Sequence, residues 1–387
     1  MGVAPQQPTW DDPLQVAAVR AELAQLPGLV TGEEVRLLRA LLAEAAAGHY
    51  LVVQAGDCAE DPAECDPPAV LRKAGLLDAL AGVMVAGTGR PVIRVGRIAG
   101  QFAKPRSSPT ETVDGIELPV YRGHLVNSPE PTSSARRPDP KRMLSCYYAA
   151  HRATTYLRQR TSDWTMASGA PVWTSHEALV LDYELPLLRR TVTGAILLAS
   201  THLPWIGERT REPDGPHVMM LAQVTNPVAC KVGPTTRPED LLALCARLDP
   251  NREPGRLTLI SRMGADAIGE ALPPLAEAVR RAGHPVAWLC DPMHGNTVKS
   301  PSGVKVRSVR TVVAEVHGFI RAITEAGGVP AGLHLETTPY DVDECVWDDP
   351  AQIDTMPGNS RTSHCDPRLN PAQALEVARA WSRDPRR

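Results

Sequence analysis

No run of about 18 apolar residues occurs in this chain of 387 residues, so no segment reads as a membrane-crossing helix. The N-terminus carries Gln6, Gln7, Asp11 and Asp12 where a secretion signal needs a basic stretch and an apolar core, and a cytoplasmic location is expected. No two cysteines have the CxxC spacing. Cys58, Cys65, Cys146, Cys230, Cys245, Cys290, Cys345 and Cys365 are irregularly placed and read as free thiols in a reducing compartment. A dinucleotide fingerprint, a phosphate-binding P-loop and a serine elbow are all missing, which leaves no support for NAD, ATP or acyl-serine chemistry. Neither sign of charge dominates: 41 Lys and Arg face 44 Asp and Glu, a net charge of −3. That balance argues against nucleic acid or an anionic membrane as partner. No short repeat or heptad run is present.

What is there suits a large packed core, with 43% hydrophobic and 22% charged residues. The first fifty residues read as two helices. Leu14, Ala17, Ala18 and Leu23 give the first an apolar stripe, and Leu37, Leu38, Leu41 and Leu42 do the same for the second. Thr31-Gly32-Glu33-Glu34 opens the second with a capping box. Eight short apolar runs follow, at residues 51–55, 91–95, 171–174, 198–206, 227–232, 257–260, 285–289 and 332–335. Helical stretches such as 68–85, 216–223, 238–248 and 273–282 lie between them, and 371–383 reads as a closing helix. Buried strands alternating with helices predict a parallel sheet, and eight such units predict a (β/α)₈ TIM barrel. The expected division is a helical extension over 1–50 and a catalytic barrel over 51–387. Long loops at 104–141 and 339–367 follow strands, which puts them on the C-terminal face where barrel active sites are built.

Polar residues at the strand ends carry the chemistry. Strand 1 runs into Cys58, strand 7 into His294, and strand 8 ends at Glu336. In a closed barrel these strands are neighbours, so the three side chains converge, with Asp366 completing the set from the loop after strand 8. A thiolate, an imidazole and two carboxylates suit a divalent transition metal rather than Mg²⁺ or Ca²⁺. A second set is cationic: Arg97, Arg209, Lys231 and Arg262 stand at the ends of other strands and form an anion pocket beside the metal. Lys104-Pro105-Arg106-Ser107-Ser108 offers another anion site. Each of these residues taken alone has an ordinary structural reading, as a buried thiol, a loop histidine or a surface cation. Their joint placement on one face is what points to a site.

The runs Gly56-Asp57-Cys58-Ala59-Glu60, Arg97-Ile98-Ala99-Gly100-Gln101, Lys104-Pro105-Arg106-Ser107, Trp205-Ile206-Gly207-Glu208-Arg209-Thr210-Arg211, Ile260-Ser261-Arg262-Met263-Gly264, Asp291-Pro292-Met293-His294-Gly295-Asn296-Thr297 and Cys365-Asp366-Pro367-Arg368-Leu369-Asn370 resemble the class II (plant-like) 3-deoxy-D-arabino-heptulosonate 7-phosphate synthases. The resemblance extends in order from about residue 50 to the C-terminus. It implies a transferase that joins phosphoenolpyruvate to erythrose 4-phosphate at the head of the shikimate pathway, in primary or secondary metabolism. It implies Cys58, His294, Glu336 and Asp366 as ligands of Mn²⁺ or Co²⁺. Arg97, Glu208, Arg209, Lys231 and Arg262 match the phosphoenolpyruvate site, with Lys231 and Glu208 as the proton-handling groups. Lys104, Pro105, Arg106 and Ser107 match the erythrose 4-phosphate contacts. A homo-oligomer is implied as well. Departures from the family pattern are His124 where Asp is usual, Cys230 before the pocket lysine, and Leu335-Glu336-Thr337-Thr338 around the metal-binding glutamate. The chain reads as a short form, and longer members use their extra helical sequence for assembly and aromatic amino acid binding. Two alternatives stay open: the same chemistry on a modified, for example amino, sugar phosphate, and a non-catalytic relative that partners a pathway enzyme.

Overall fold

The computed structural model describes residues 4–113, 115–162, 170–356 and 360–382. Eight parallel strands close into a barrel. They are β1 (Leu51–Gly56), β2 (Val92–Arg97), β3 (Val172–Glu177), β4 (Leu203–Ile206), β5 (Val228–Val232), β6 (Leu257–Ser261), β7 (Ala287–Cys290) and β8 (Pro330–Glu336), in ring order with β8 returning to β1. Each expected run holds one of them. The fourth expected run, 198–206, is longer than its strand: Leu188–Arg190 and Ile196–Leu198 form a separate antiparallel hairpin before β4. The side-chain amide of Asn226 explains the break. It donates to the carbonyls of Leu198 and Thr201 and accepts from Leu198 N, which bends the chain between hairpin and strand.

The helices are α1 (Pro13–Gln25), α2 (Gly32–Ala46), α3 (Pro67–Thr88), α4 (Lys141–Ser162), α5 (Leu181–Glu184), α6 (Pro216–Ala222), α7 (Pro238–Leu248), α8 (Ile268–Arg281), α9 (Val309–Glu325) and α10 (Pro371–Ala380). The capping box of α2 is formed, with Thr31 and Glu34 each bonding to the other's backbone N–H. The expected stripes are off by a position or two. In α1, Val16, Val19 and Leu23 are buried, whereas Leu14 is 82% exposed. In α2, Val35, Leu38, Leu42 and Ala45 face inward and Leu37 stays outside. Helix α8 begins five residues before the expected start. Pro273 and Pro274 lie inside it, close enough to the N-terminus that the missing N–H groups remove bonds only from its early turns. The closing helix ends at Ala380, and residue 383 of its expected span lies outside the described residues. Among the described residues no helix is long and apolar enough to cross a membrane.

Strand periodicity builds the site. On the inward face of each strand, residues two apart share a direction. Near the strand starts this face is apolar: Val52, Ile93, Trp173, Leu203, Ala229 and Ala331 pack in one cluster. Leu38, Leu42 and Ala45 of α2 join the same cluster, so α2 plugs the N-terminal mouth. Farther along the same faces the residues turn polar and remain buried: Gln54 after Val52, Arg97 after Val95, Ser175 and Glu177 after Trp173, Lys231 after Ala229, and Glu336 after His334. The polar layer is internally bonded, Gln54 to Ser175 at 3.0 Å and to His334 at 2.8 Å. Gly56 ends β1 in register with both Arg97 and Glu336. Its φ is 147°, and a Cβ there would lie 2.7 Å from the Arg97 carbonyl oxygen, so only glycine lets β1 and β2 close at this level.

Candidate active site

A cavity of about 490 Å³ opens at the C-terminal face, and all thirteen candidate residues line it. The cavity brings together the donor residues, the strand-end cations with Glu208, and the Lys104–Ser107 run. Cys58, Glu336 and Asp366 bring one donor atom each within 4.8 Å of one another, from β1's exit, the end of β8 and the loop beyond it. His294 stands beside this trio, with Nε2 3.1 Å from Glu336 Oε1. One thiol, two carboxylates and an adjacent imidazole are a donor set that accepts a divalent transition cation. The cage already attracts positive charge: the Lys104 ammonium donates to both Cys58 Sγ and Asp366 Oδ2.

Electrostatics follow from this crowding. Burial opposes ionisation of Glu336, yet His294, Lys104 and Arg307 outweigh it and hold its pKa well below the usual carboxylate range. Asp366 is likewise held low against burial, chiefly by Lys104. Burial penalises the Lys104 ammonium, but Asp366, Cys58 and Glu336 keep its pKa well above normal. Burial, a hydrogen bond with Cys365 and the charge of Glu336 push the Cys58 thiol up. A divalent cation among these donors acts in the opposite sense, because a coordinating thiol loses its proton.

The cations adjoin this cage. Arg97 is fully buried; it donates to Asp57 O at 2.9 Å, to His334 Nε2 at 2.7 Å and to Glu336 at 3.1 Å. Arg97 and Lys231 both lie over the Trp205 ring, at 5.1 Å and 6.0 Å from its centroid, so the π face attracts both cations. Lys231 reaches Asp291 at 2.8 Å. Burial pulls the Lys231 ammonium below its ordinary pKa, and Asp291 offsets only part of that. Arg262 donates to the carbonyl of His294. Arg209 meets Ser107 at 3.2 Å and thereby links the cationic wall to the Lys104–Ser107 loop. Arg106 pairs with Glu111 at 2.8 Å.

Several functional neighbours escaped sequence reasoning. Arg307 pairs with Glu336 at 2.8 Å, and Lys305 with Asp366 at 2.8 Å; they belong to a segment after β7 that has no motif. Gln6 accepts from Arg106 N at 2.9 Å, so the N-terminal segment touches the catalytic face. Asp291 was visible inside a motif but not as the group that holds both Lys231 and His294. Glu177 lines the cavity from the end of β3, beyond the expected run at 171–174 and outside every motif.

Comparison with known proteins gives a consistent result. A model of the Class-II DAHP synthetase family matches residues 2–168 and 159–382. A protein of Pseudomonas fluorescens described as a probable phospho-2-dehydro-3-deoxyheptonate aldolase is 52% identical over 381 residues, 98% of this chain and 95% of its own. A phospho-2-dehydro-3-deoxyheptonate aldolase of Streptomyces coelicolor is 39% identical over 422 residues, 97% of this chain and 94% of its own. A solved phospho-2-dehydro-3-deoxyheptonate aldolase of Francisella tularensis superposes with a TM-score of 0.56 at 13% identity and 95% coverage of both chains, a likeness of fold alone.

Proposed function

The chain belongs to the Class-II DAHP synthetase family, and from that premise we propose how its cavity performs the condensation of phosphoenolpyruvate with erythrose 4-phosphate, the entry reaction of the shikimate pathway. The supporting observation is the meeting, in one cavity, of a donor cage fit for a divalent cation and a wall of cations fit for phosphate and carboxylate. Cys58, His294, Glu336 and Asp366 hold the metal, Mn²⁺ or Co²⁺, which when bound polarises the aldehyde oxygen. Arg97, Arg209, Lys231 and Arg262 bind the phosphate and carboxylate of phosphoenolpyruvate, with Glu208 beside them, and so aim its methylene carbon at the aldehyde. Lys104, Pro105, Arg106 and Ser107 bind the sugar phosphate. Carbon–carbon bond formation leaves C2 of phosphoenolpyruvate electron-poor; water adds there, and loss of phosphate leaves the ketone. Lys231, whose ammonium burial makes a readier proton donor, and Glu208 manage the protons of that water.

The division at residue 50 is proposed on the same basis, with residues 1–50 serving the barrel and 51–387 carrying the chemistry. An alignment of 422 residues with the Streptomyces protein exceeds the 387 residues of this chain, which supports its reading as a short form. A cytoplasmic homo-oligomer is proposed for the working enzyme. The test of function is phosphoenolpyruvate consumption with and without erythrose 4-phosphate. Metal-dependent consumption only when both are present is expected; consumption indifferent to the aldehyde sinks the proposal.

A further inference from the structure

Four carboxyl groups line the cavity, and three are held by cations. Glu208 accepts from Arg211 Nε at 3.0 Å and Nη2 at 2.9 Å. Glu336 is shared by Arg97, Arg307 and His294, and Asp366 by Lys104 and Lys305. The fourth, Glu177, differs. It ends β3 and is 8% exposed; its Oε1 is buried with no hydrogen-bond partner among the described residues, and no cation there pairs with it. Leaving a buried acceptor unpaired is costly, so a carboxyl kept this way in a site wall calls for a use.

The surroundings hold Glu177 in place by everything except its carboxyl. Its N–H donates to Gln101 Oε1 at 2.9 Å, its carbonyl accepts from Leu179 N at 2.7 Å, and Ala178 N donates to Trp205 O at 3.0 Å. Across from it, a Cβ on Gly207 would lie 2.0 Å from Glu177 Oε1. The glycine of Trp205-Ile206-Gly207-Glu208 therefore leaves the space that this carboxyl fills. The charged and titratable groups facing it are Lys231 on β5, His294 after β7, Arg97 on β2 and Lys104 after β2. Burial pushes the Glu177 carboxyl up, and its neighbours, Lys231 foremost, only partly oppose it. A carboxylate with a raised pKa is a stronger proton acceptor than an ordinary one, and the cations keep its ionised form accessible.

We propose that Glu177 is a catalytic residue of the condensation: it takes a proton from the water that adds to C2 of phosphoenolpyruvate and returns it to the departing phosphate. This rests on the synthase reading above and adds a third group to the pair Lys231 and Glu208. The step balances. As water's oxygen bonds to C2, one O–H bond breaks and that proton passes to Glu177. When the C2–O bond to phosphate breaks, its electron pair leaves with phosphate, which takes the proton back from Glu177. The second proton of the water is lost as the ketone forms and ends on the hydroxyl made from the aldehyde oxygen. Glu177 finishes as it began. Lys231 and Glu208 keep the role given them above, in passing on that second proton.

The decisive variant is Glu177→Gln, which fills the same space without accepting a proton. Its kcat is expected to fall by about 10²–10⁴-fold with KM for phosphoenolpyruvate within about threefold of wild type. Its metal content and melting temperature are expected to stay unchanged, and the acid limb of kcat against pH should disappear. A variant with wild-type kcat overturns the proposal, as does a lower kcat with the acid limb intact and a raised KM, the signature of a mere spacer. If Glu177→Gln does not fold, Glu177→Asp decides: a lower kcat with the acid limb displaced supports the role, and an unchanged pH profile refutes it. Wild-type turnover of the two substrates in the same assay separates the readings. If the wild type is inactive, both fail; if it is active and the variant equals it, only this one does.

Discussion

At the scale of single residues, the metal cage makes the sharpest demands. Cys58→Ser replaces the proposed thiolate ligand with a poorly ionised hydroxyl, and metal affinity is expected to drop at least about tenfold, with turnover falling alongside. Metal content after gel filtration, measured with kcat, checks this; a fully loaded, fully active variant removes Cys58 from the ligand set. Chelation of the wild type should abolish turnover, and added Mn²⁺ or Co²⁺ should restore it. A second thiol adds a redox expectation. A hydrogen bond with Cys58 brings the Cys365 thiol down to about 7 against the effect of burial, with Lys104 and Arg106 helping. Cys365 is therefore increasingly a thiolate above that pH, and metal-free protein treated with peroxide should form a Cys58–Cys365 disulfide faster at pH 8 than at pH 6. Each disulfide sends two electrons to the peroxide, and mass mapping that finds both thiols free at pH 8 refutes the pairing. Residues such as Cys58, His294 and Glu336 were legible because strand order in a ring makes distant sequence neighbours in space. Glu177 was not legible, because one acidic residue after an apolar run looks like any strand end; its distinction is a missing partner, which only coordinates reveal.

At the scale of elements, the join between α3 and β1 is electrostatic. Lys73 of α3 pairs with Asp57 at 2.7 Å, just past β1, and Arg368, two residues beyond Asp366, meets the other oxygen of Asp57 at 2.7 Å. Lys73 and Asp57 are each only 2% exposed in their side chains. Lys73→Met leaves Asp57 with Arg368 alone and takes the ammonium from Glu60 and Glu64, and is expected to cost about 3–5 kcal/mol. The pH sign can be worked out. Burial raises the Asp57 carboxyl, but Lys73 and Arg368 overcome it and hold its pKa below the ordinary value. The pairing thus stabilises the fold at neutral pH, and its contribution is lost as pH falls below the ordinary carboxylate value of about 3.9 towards the depressed one. Denaturant titrations of wild type and Lys73→Met should differ most at pH 7 and converge in acid; a constant gap contradicts the assignment. Element order was readable from period and punctuation, and the limits of that reading are physical. The stripe of α1 slipped because Leu14 is apolar yet faces solvent, and α8 began early because two prolines near a helix start do not mark a boundary.

At the scale of the whole molecule, the N-terminal helices are engaged by the barrel itself: α2 fills its lower mouth, and α1 packs on α4. Helices used in this way are not available to build an effector pocket of their own, so initial rates at near-saturating substrate are expected to change little with phenylalanine, tyrosine or tryptophan, alone or together. Strong inhibition at sub-millimolar concentration refutes this. The (β/α)₈ plan was legible from eight runs in alternation, whereas the plug was not, since nothing in the period of α2 says which surface it covers. That plug has a consequence for birth on the ribosome. Leu38 and Leu42 leave the exit tunnel early, but the cavity they fill has walls from Val52 to Ala331, and the ring is sealed only when β8 pairs with β1. At translation rates of about 5–20 residues per second, the interval between α2 and β8 lasts roughly 15–60 s. For that time an apolar helix face waits without its site, so the nascent chain is a natural client for chaperones, and its yield should depend on them more than its final stability suggests.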